Sequence, residues 1–207
     1  MNFDPRVWQK GRWLLAIVLV SVFISAPLFW ISLLVFAGHF LFFRDPEPKP
    51  ENKSLLFSPA TGKVVEIGVE SENKFLNGEV FKISIFLSIF DVHVNRAPME
   101  GKVSYLNYVP GKFKNALDPE SARVNESNWI GIQNEKAGIL VRQISGAIAR
   151  RIHCDVRLGE ELRQGQKLGV ICYGSRVECF LPKAYFKPLI QVGDRVHVGR
   201  TILGEWK

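Results

Sequence analysis

The chain has 207 residues, with 27 Lys or Arg against 20 Asp or Glu, a net charge of +7 and a pI near 9.4. That length holds one sizeable core, or one domain joined to a membrane segment. The basic balance favours an anionic partner, and with no RNP motif, basic stripe or zinc-knuckle pattern the expected partner is a membrane surface and not nucleic acid.

Residues 13–43 contain no Asp, Glu, Lys or Arg. A span needs about 20 apolar residues, so the run is long for one crossing and short for two. Pro27, near its middle, would kink or break a helix. Arg6, Lys10 and Arg12 flank one end and Arg44 the other, which fits a hairpin returning to the cytoplasmic side. One tilted span plus an interfacial helix fits as well, and a buried core helix pair is the bland alternative. A cleaved signal peptide is excluded by the length of the run and the lack of a small-x-small site. Next comes Arg44-Asp45-Pro46-Glu47-Pro48-Lys49-Pro50-Glu51, where alternate prolines enforce extended chain. The expected organisation is a membrane-anchoring segment 1–44, a linker 45–53 and one domain 54–207.

That domain reads as mainly β, an α+β domain without helical periodicity. Runs at 64–69, 80–89, 101–109, 129–133, 139–144 and 177–181 are rich in β-branched and aromatic residues, with turn residues between them; 120–123 reads as a short turn. Two segments, 162–169 and 192–199, echo each other in the glycine pattern of hammerhead, barrel-sandwich-like turns. A lipoyl-type carrier would need a lysine on a hairpin tip, which is missing. A membrane-anchored hammerhead adaptor remains as a non-enzymatic reading. Cys154, Cys172 and Cys179 are odd in number and lack CxxC spacing, which argues against a disulfide framework and against a metal site.

Near the C-terminus, Ile171-Cys172-Tyr173-Gly174-Ser175-Arg176-Val177-Glu178 reads as strand, tight junction, strand. A serine after glycine places a hydroxyl beside an unhindered carbonyl, and a strained turn with a nearby base would let it attack the preceding peptide bond. A plain surface turn is the alternative for Gly-Ser by itself.

The run from Gly174-Ser175-Arg176-Val177 to Pro182 resembles the self-cleavage segment of the short-form phosphatidylserine decarboxylases. Further segments resemble that family in the same order: Phe42-Phe43-Arg44-Asp45-Pro46, Ser58-Pro59-Ala60-Thr61-Gly62-Lys63-Val64, Asp91-Val92-His93-Val94-Asn95-Arg96-Ala97-Pro98, the loop around Gly111, Asn125-Glu126, and 143–152. The resemblance implies a proenzyme. Ser175 Oγ attacks the Gly174 carbonyl, the ester eliminates, and the residue at 175 becomes a pyruvoyl group, the enzyme's covalent cofactor. The products would be chains 1–174 and 175–207, associated as a heterodimer, with further oligomerisation open. The pyruvoyl ketone would be the electron sink for converting phosphatidylserine to phosphatidylethanolamine and CO2, at the inner cell membrane with the catalytic domain on the cytoplasmic side. It also implies that His93 is the general base and later proton donor, and that Arg96 either orients a phosphate or is structural. One position departs: Thr61 stands where the family has the aspartate of an Asp-His-Ser set. Threonine cannot stabilise imidazolium by charge, so a catalytically impaired relative is the alternative, and Asp91 or Glu66 are substitute acids. His39, His153 and His197 read as core or surface histidines.

Overall fold

The apolar run folds as two helices, and the break between them is written in the sequence. The first strand and helix are β1 (Asn2–Phe3) and α1 (Val7–Ser21); α2 (Ala26–Phe42) and β2 (Arg44–Asp45) follow. Pro27 does not kink a helix interior. It sits in the first turn of α2, where its missing N–H has no intrahelical partner to lose, and the Ser25 side chain caps that turn from Leu28 N–H. The helices run back on each other, tied by the Ser21–Ser32 hydroxyl contact at 2.9 Å and by His39 Nε2 against the Val7 carbonyl at 2.9 Å. β1 pairs antiparallel with β2, so both ends of the hairpin lie at one base. At roughly 1.5 Å per residue, α1 and α2 are about 22 and 26 Å long, against a bilayer core of about 30 Å. Among the described residues no helix is long and apolar enough to cross a membrane.

This computed structural model describes residues 2–49, 54–112, 114, 121–146, 151–172 and 174–207. Part of the predicted linker (50–53), part of the loop after Gly111, 147–150 and Tyr173 lie outside them. The chain divides into two compact units, Met1–Glu47 and Pro48–Lys207.

The second unit is built from β3 (Leu55–Phe57), β4 (Gly62–Glu72), β5 (Gly78–Leu87), β6 (Val94–Arg96), β7 (Gly101–Val109), the single turn α3 (Ser121–Val124), β8 (Ser127–Gln133) and β9 (Gly138–Ile144). It continues with β10 (Ile152–Cys154), β11 (Glu161–Leu162), β12 (Lys167–Ile171), β13 (Ser175–Pro182), β14 (Phe186–Pro188), β15 (Arg195–Val196) and β16 (Ile202–Trp206). An eight-stranded antiparallel sheet runs β11-β7-β8-β9-β13-β5-β4-β15, and two three-stranded sheets, β10-β12-β6 and β14-β16-β3, complete the unit. All six predicted β runs are strands of the large sheet. The two echoing segments each hold a turn glycine with positive φ, Gly165 at 80° and Gly193 at 103°.

Alternation along β13 explains the core. Val177, Cys179 and Leu181 point inward onto Ile83, Ile85 and Val141, all fully buried, and each such aliphatic side chain contributes about 1.5–3 kcal/mol by leaving water. Arg176, Glu178 and Phe180 point to the opposite face, yet they too are buried. There Phe180 stacks on Trp129 at 5.6 Å, and Lys74 Nζ at 3.9 Å and the Arg142 guanidinium at 4.4 Å both approach the Trp129 ring. Glu72 folds the β4–β5 connection over this face by accepting the N–H groups of Lys74, Phe75 and Leu76.

The three cysteines are free thiols in different surroundings, Cys154 exposed and Cys179 buried. Burial pushes the Cys179 thiol up to about 12, and the thiolate is the nucleophile. Iodoacetamide at pH 8 is expected to label Cys154 readily and Cys179 only on unfolding. Native labelling of both at one rate would mean that β13 opens.

Candidate active site

The predicted site residues meet where the chain passes from one sheet to another. In the β10-β12-β6 sheet Val94 pairs with Val170, and Ile171 N–H donates to the His93 carbonyl at 3.3 Å. This sets His93 beside the last residue of β12. The chain then leaves that sheet after Ile171 and enters the centre of the eight-stranded sheet at Ser175, between β9 and β5. The crossing ends on Gly174 with φ of 67°, a left-handed conformation that costs other L-residues about 1–2 kcal/mol.

Gly174 N–H donates to His93 Nε2 at 3.2 Å, while His93 Nδ1 lies 2.9 Å from the Asp91 backbone carbonyl. A carbonyl only accepts, so Nδ1 carries the ring proton and Nε2 presents its lone pair to the junction. Both contacts require the same neutral tautomer. His93 and Ser175 are fully buried, and among the described residues the Ser175 hydroxyl has no hydrogen-bond partner. Leaving a buried hydroxyl unpaired costs about 1–3 kcal/mol, and a catalytic role is one reason for a structure to bear that cost.

Strand parity arranges the surroundings in layers. Continuing the Arg176–Ile144 register by one step sets Ser145 opposite Ser175. Ser145 N–H donates to the Glu126 carbonyl at 3.0 Å, which carries the same layer onto the next strand. One layer deeper, Asn128 donates to Gln143 at 3.0 Å and Gln143 donates to Asn95 at 2.8 Å, all three side chains buried. Below these amides the core is hydrocarbon.

The supporting candidates lie as follows. Asp91 meets His93 through its backbone; its carboxylate accepts Ser88 N–H at 2.8 Å and pairs with Arg195. Thr61 is buried, and its hydroxyl accepts Val198 N–H at 3.0 Å. Glu66 pairs with Lys82 at 2.9 Å on β4; burial raises its carboxyl, but the Lys82 hydrogen bond and charge win and hold it below the usual range. Arg96 donates to the Gly165 carbonyl at 2.8 Å, tying β6 to the turn before β12. The structure thus brings His93, Gly174 and Ser175 together, with Asp91 as backbone support, and gives Thr61, Glu66 and Arg96 other partners. Sequence reading missed Ser145, Gln143 and Asn95 as neighbours of the junction. Parity was the available signal, because Gln143 falls in step with Ile139 and Val141 and a polar residue at that step must be buried.

The sequence pattern of the family "Phosphatidylserine decarboxylase" matches residues 36–204. A phosphatidylserine decarboxylase proenzyme of Carboxydothermus hydrogenoformans is 44% identical over 210 residues, covering 99% of each chain. One from Symbiobacterium thermophilum is 40% identical, over 95% of this chain and 92% of its own. One from Paraburkholderia phymatum is 39% identical, over 99% of this chain and 100% of its own. With a buried serine at a glycine junction and similarity running from end to end, the chain belongs to the phosphatidylserine decarboxylase family of self-cleaving, pyruvoyl-dependent proenzymes.

Proposed function

We propose that this phosphatidylserine decarboxylase proenzyme cleaves itself between Gly174 and Ser175, with His93 as the general base. The observation that carries the assignment is the buried Ser175 hydroxyl, without a partner among the described residues, directly after a left-handed Gly174 whose N–H is held by His93 Nε2. Ser175 Oγ attacks the Gly174 carbonyl carbon. His93 takes the hydroxyl proton at Nε2 and returns it to the departing Ser175 nitrogen as the 174–175 amide bond breaks, leaving an ester. Loss of the Ser175 Cα proton expels the Gly174 carboxylate, and hydrolysis releases ammonia. The residues fit the group so formed, since position 175 is buried and lies one layer above the amides of Asn95, Asn128 and Gln143. The resulting ketone supplies the electron sink for decarboxylating phosphatidylserine. The Asp91 carbonyl keeps the His93 ring in register throughout.

The 1–47 hairpin is, in this reading, a membrane anchor that dips into one leaflet and returns to the cytoplasmic side. Trp13, Phe23, Trp30 and Leu34 are exposed on it, Phe23 at its tip to 90%, whereas Asp4, Arg6, Arg44 and Asp45 cluster at its base. Such a surface suits acyl chains, and a diacyl substrate does not readily leave them.

Intact-mass measurement tests the cleavage. Purified protein is expected as chains 1–174 and 175–207, the small chain blocked at its N-terminus, with Ser175→Ala remaining full length. A homogeneous uncleaved wild-type chain with an ordinary serine would remove the assignment.

A further inference from the structure

Ser175 has two cross-strand neighbours on its own face of the large sheet. On β5 it pairs with Leu87, which offers it only hydrocarbon. On β9 the ladder sets Ser145 opposite it. Ser145 sends its N–H to the Glu126 carbonyl at 3.0 Å, and its own carbonyl accepts Asn125 Nδ2 at 2.8 Å. Both main-chain groups thus face the β8 side and away from β13, which makes Ser145 and Ser175 a non-hydrogen-bonded pair. In such a pair the Cα atoms lie about 4.5 Å apart and the side chains come closest.

Ser145 and Ser175 are both fully buried, and among the described residues neither hydroxyl has a hydrogen-bond partner. The amide one layer deeper is already engaged, since Gln143 accepts from Asn128 and donates to Asn95. A buried hydroxyl left unpaired lowers stability, and alanine at the same strand position would not carry that cost. Ser175 uses its hydroxyl as the nucleophile. Ser145 has no such use in the first step of cleavage.

We propose that the Ser145 hydroxyl is the donor that stabilises the leaving carboxylate in the second step of self-cleavage. This rests on the cleavage reading of Gly174-Ser175 and adds a catalytic residue to it. In the ester, Ser175 Oγ bridges Cβ to the Gly174 acyl carbon. In the elimination the Ser175 Cα proton passes to His93 Nε2, neutral again after the first step, and its electron pair becomes the Cα=Cβ bond. The Cβ–Oγ pair departs with Oγ, which becomes an oxygen of the Gly174 carboxylate. Negative charge therefore develops on the oxygen that Ser145 faces. Hydrogen bonds to an ionised acceptor are about twice as strong as neutral ones, so this bond strengthens toward the transition state, the condition for accelerating a step. Leu87, on the other flank, offers that charge nothing.

The test follows the full-length chain in cell-free synthesis, with samples quenched into hydroxylamine over time. Hydroxylamine opens the ester to a 1–174 hydroxamate and a small chain with an ordinary N-terminal Ser175, whereas the matured small chain is blocked, and intact mass separates the two. In Ser145→Ala the ester is expected to form at the wild-type rate, because the first step places charge on the Gly174 carbonyl oxygen instead. It is then expected to persist on the order of tenfold to a hundredfold longer. Ser145→Cys, a weaker donor of similar shape, should fall between. In the Ser175→Ala background, Ser145→Ala is expected to melt no lower than its parent, since it removes an unpaired hydroxyl; this separates lost chemistry from lost fold. The proposal is overturned if the Ser145→Ala ester lives no longer than that of the wild type, or if Ser145→Ala slows ester formation without ester accumulating. A wild-type chain giving neither ester nor blocked small chain would remove the cleavage reading, and this proposal with it, so the two failures are distinguishable.

Discussion

His93→Gln is expected to fold and to remain uncleaved over the time in which the wild-type chain matures. The glutamine amide oxygen still accepts the Gly174 N–H that His93 Nε2 accepts at 3.2 Å, so the junction keeps its hydrogen bond. The variant lacks a group that can take the Ser175 proton and return it to the leaving nitrogen. General base catalysis is worth about 10²–10⁴-fold, and the cleavage half-time in cell-free synthesis should lengthen by that factor. Thermal melting of His93→Gln should stay close to that of Ser175→Ala, itself uncleaved, which separates lost chemistry from lost fold. A half-time within about threefold of wild type would show that the proton goes elsewhere. The structure also bears on position 61. The His93 ring is oriented by a backbone carbonyl, and the Thr61 hydroxyl serves the Val198 amide. A charged partner for His93 is thus not required to select its tautomer, although the carbonyl supplies less stabilisation to imidazolium than a carboxylate would.

The largest stability effect is expected from Glu178→Ala. Glu178 sits on the central strand β13, three residues after Ser175, with its side chain 3% exposed and 3.3 Å from Arg142. Arg176 Nη1 lies 3.9 Å away on the other side. Burial pushes the Glu178 carboxyl up, against the pull of Arg142, and burial likewise lowers the Arg142 guanidinium despite Glu178. Desolvation therefore outweighs attraction in this pair, and the pair itself adds little net stability. Removing one partner is another matter. It leaves Arg142 and Arg176 buried without their counter-charge, beside a Trp129 ring already shared with Lys74, at a cost of about 3–5 kcal/mol. For a domain of this size that lowers Tm by roughly 10 °C. The double variant Glu178→Leu with Arg142→Met should recover part of the loss, because only Arg176 then remains without its counter-charge. A Glu178→Ala chain melting within about 2 °C of wild type would mean that water reaches this face.

Some features of this protein were legible residue by residue. Strands β4, β5, β7, β8, β9 and β13 follow from β-branched and aromatic runs between turn residues, since extended backbone is a local preference reinforced by alternation. The break in the apolar run is local too: Ser25 and Pro27 favour a helix start, whatever the surroundings. Gly174-Ser175 and His93 could be proposed from the sequence because a glycine-serine junction within strand sequence, with a histidine in a family-like run, is a chemical pattern carried by the chain itself. Other features depended on register. Asp91 lies two residues before His93, and sequence spacing suggested its carboxylate as a partner; the folded loop turns that carboxylate to Ser88 N–H and Arg195 and offers the ring a backbone carbonyl. Backbone carbonyls are present at every residue, so composition cannot announce which one a ring will meet. Arg96 was equally open to a phosphate or a structural role until β6 took its place beside β12 and brought the Gly165 carbonyl within reach. Glu126, Ser145 and Ser175 lie far apart in the chain and share one layer only because β8, β9 and β13 pair in that register. Their residue types and strand propensities are properties of the sequence. Their juxtaposition, and the buried oxygens it leaves without partners, is set by long-range pairing, which is decided by the burial of whole faces and not by any one residue.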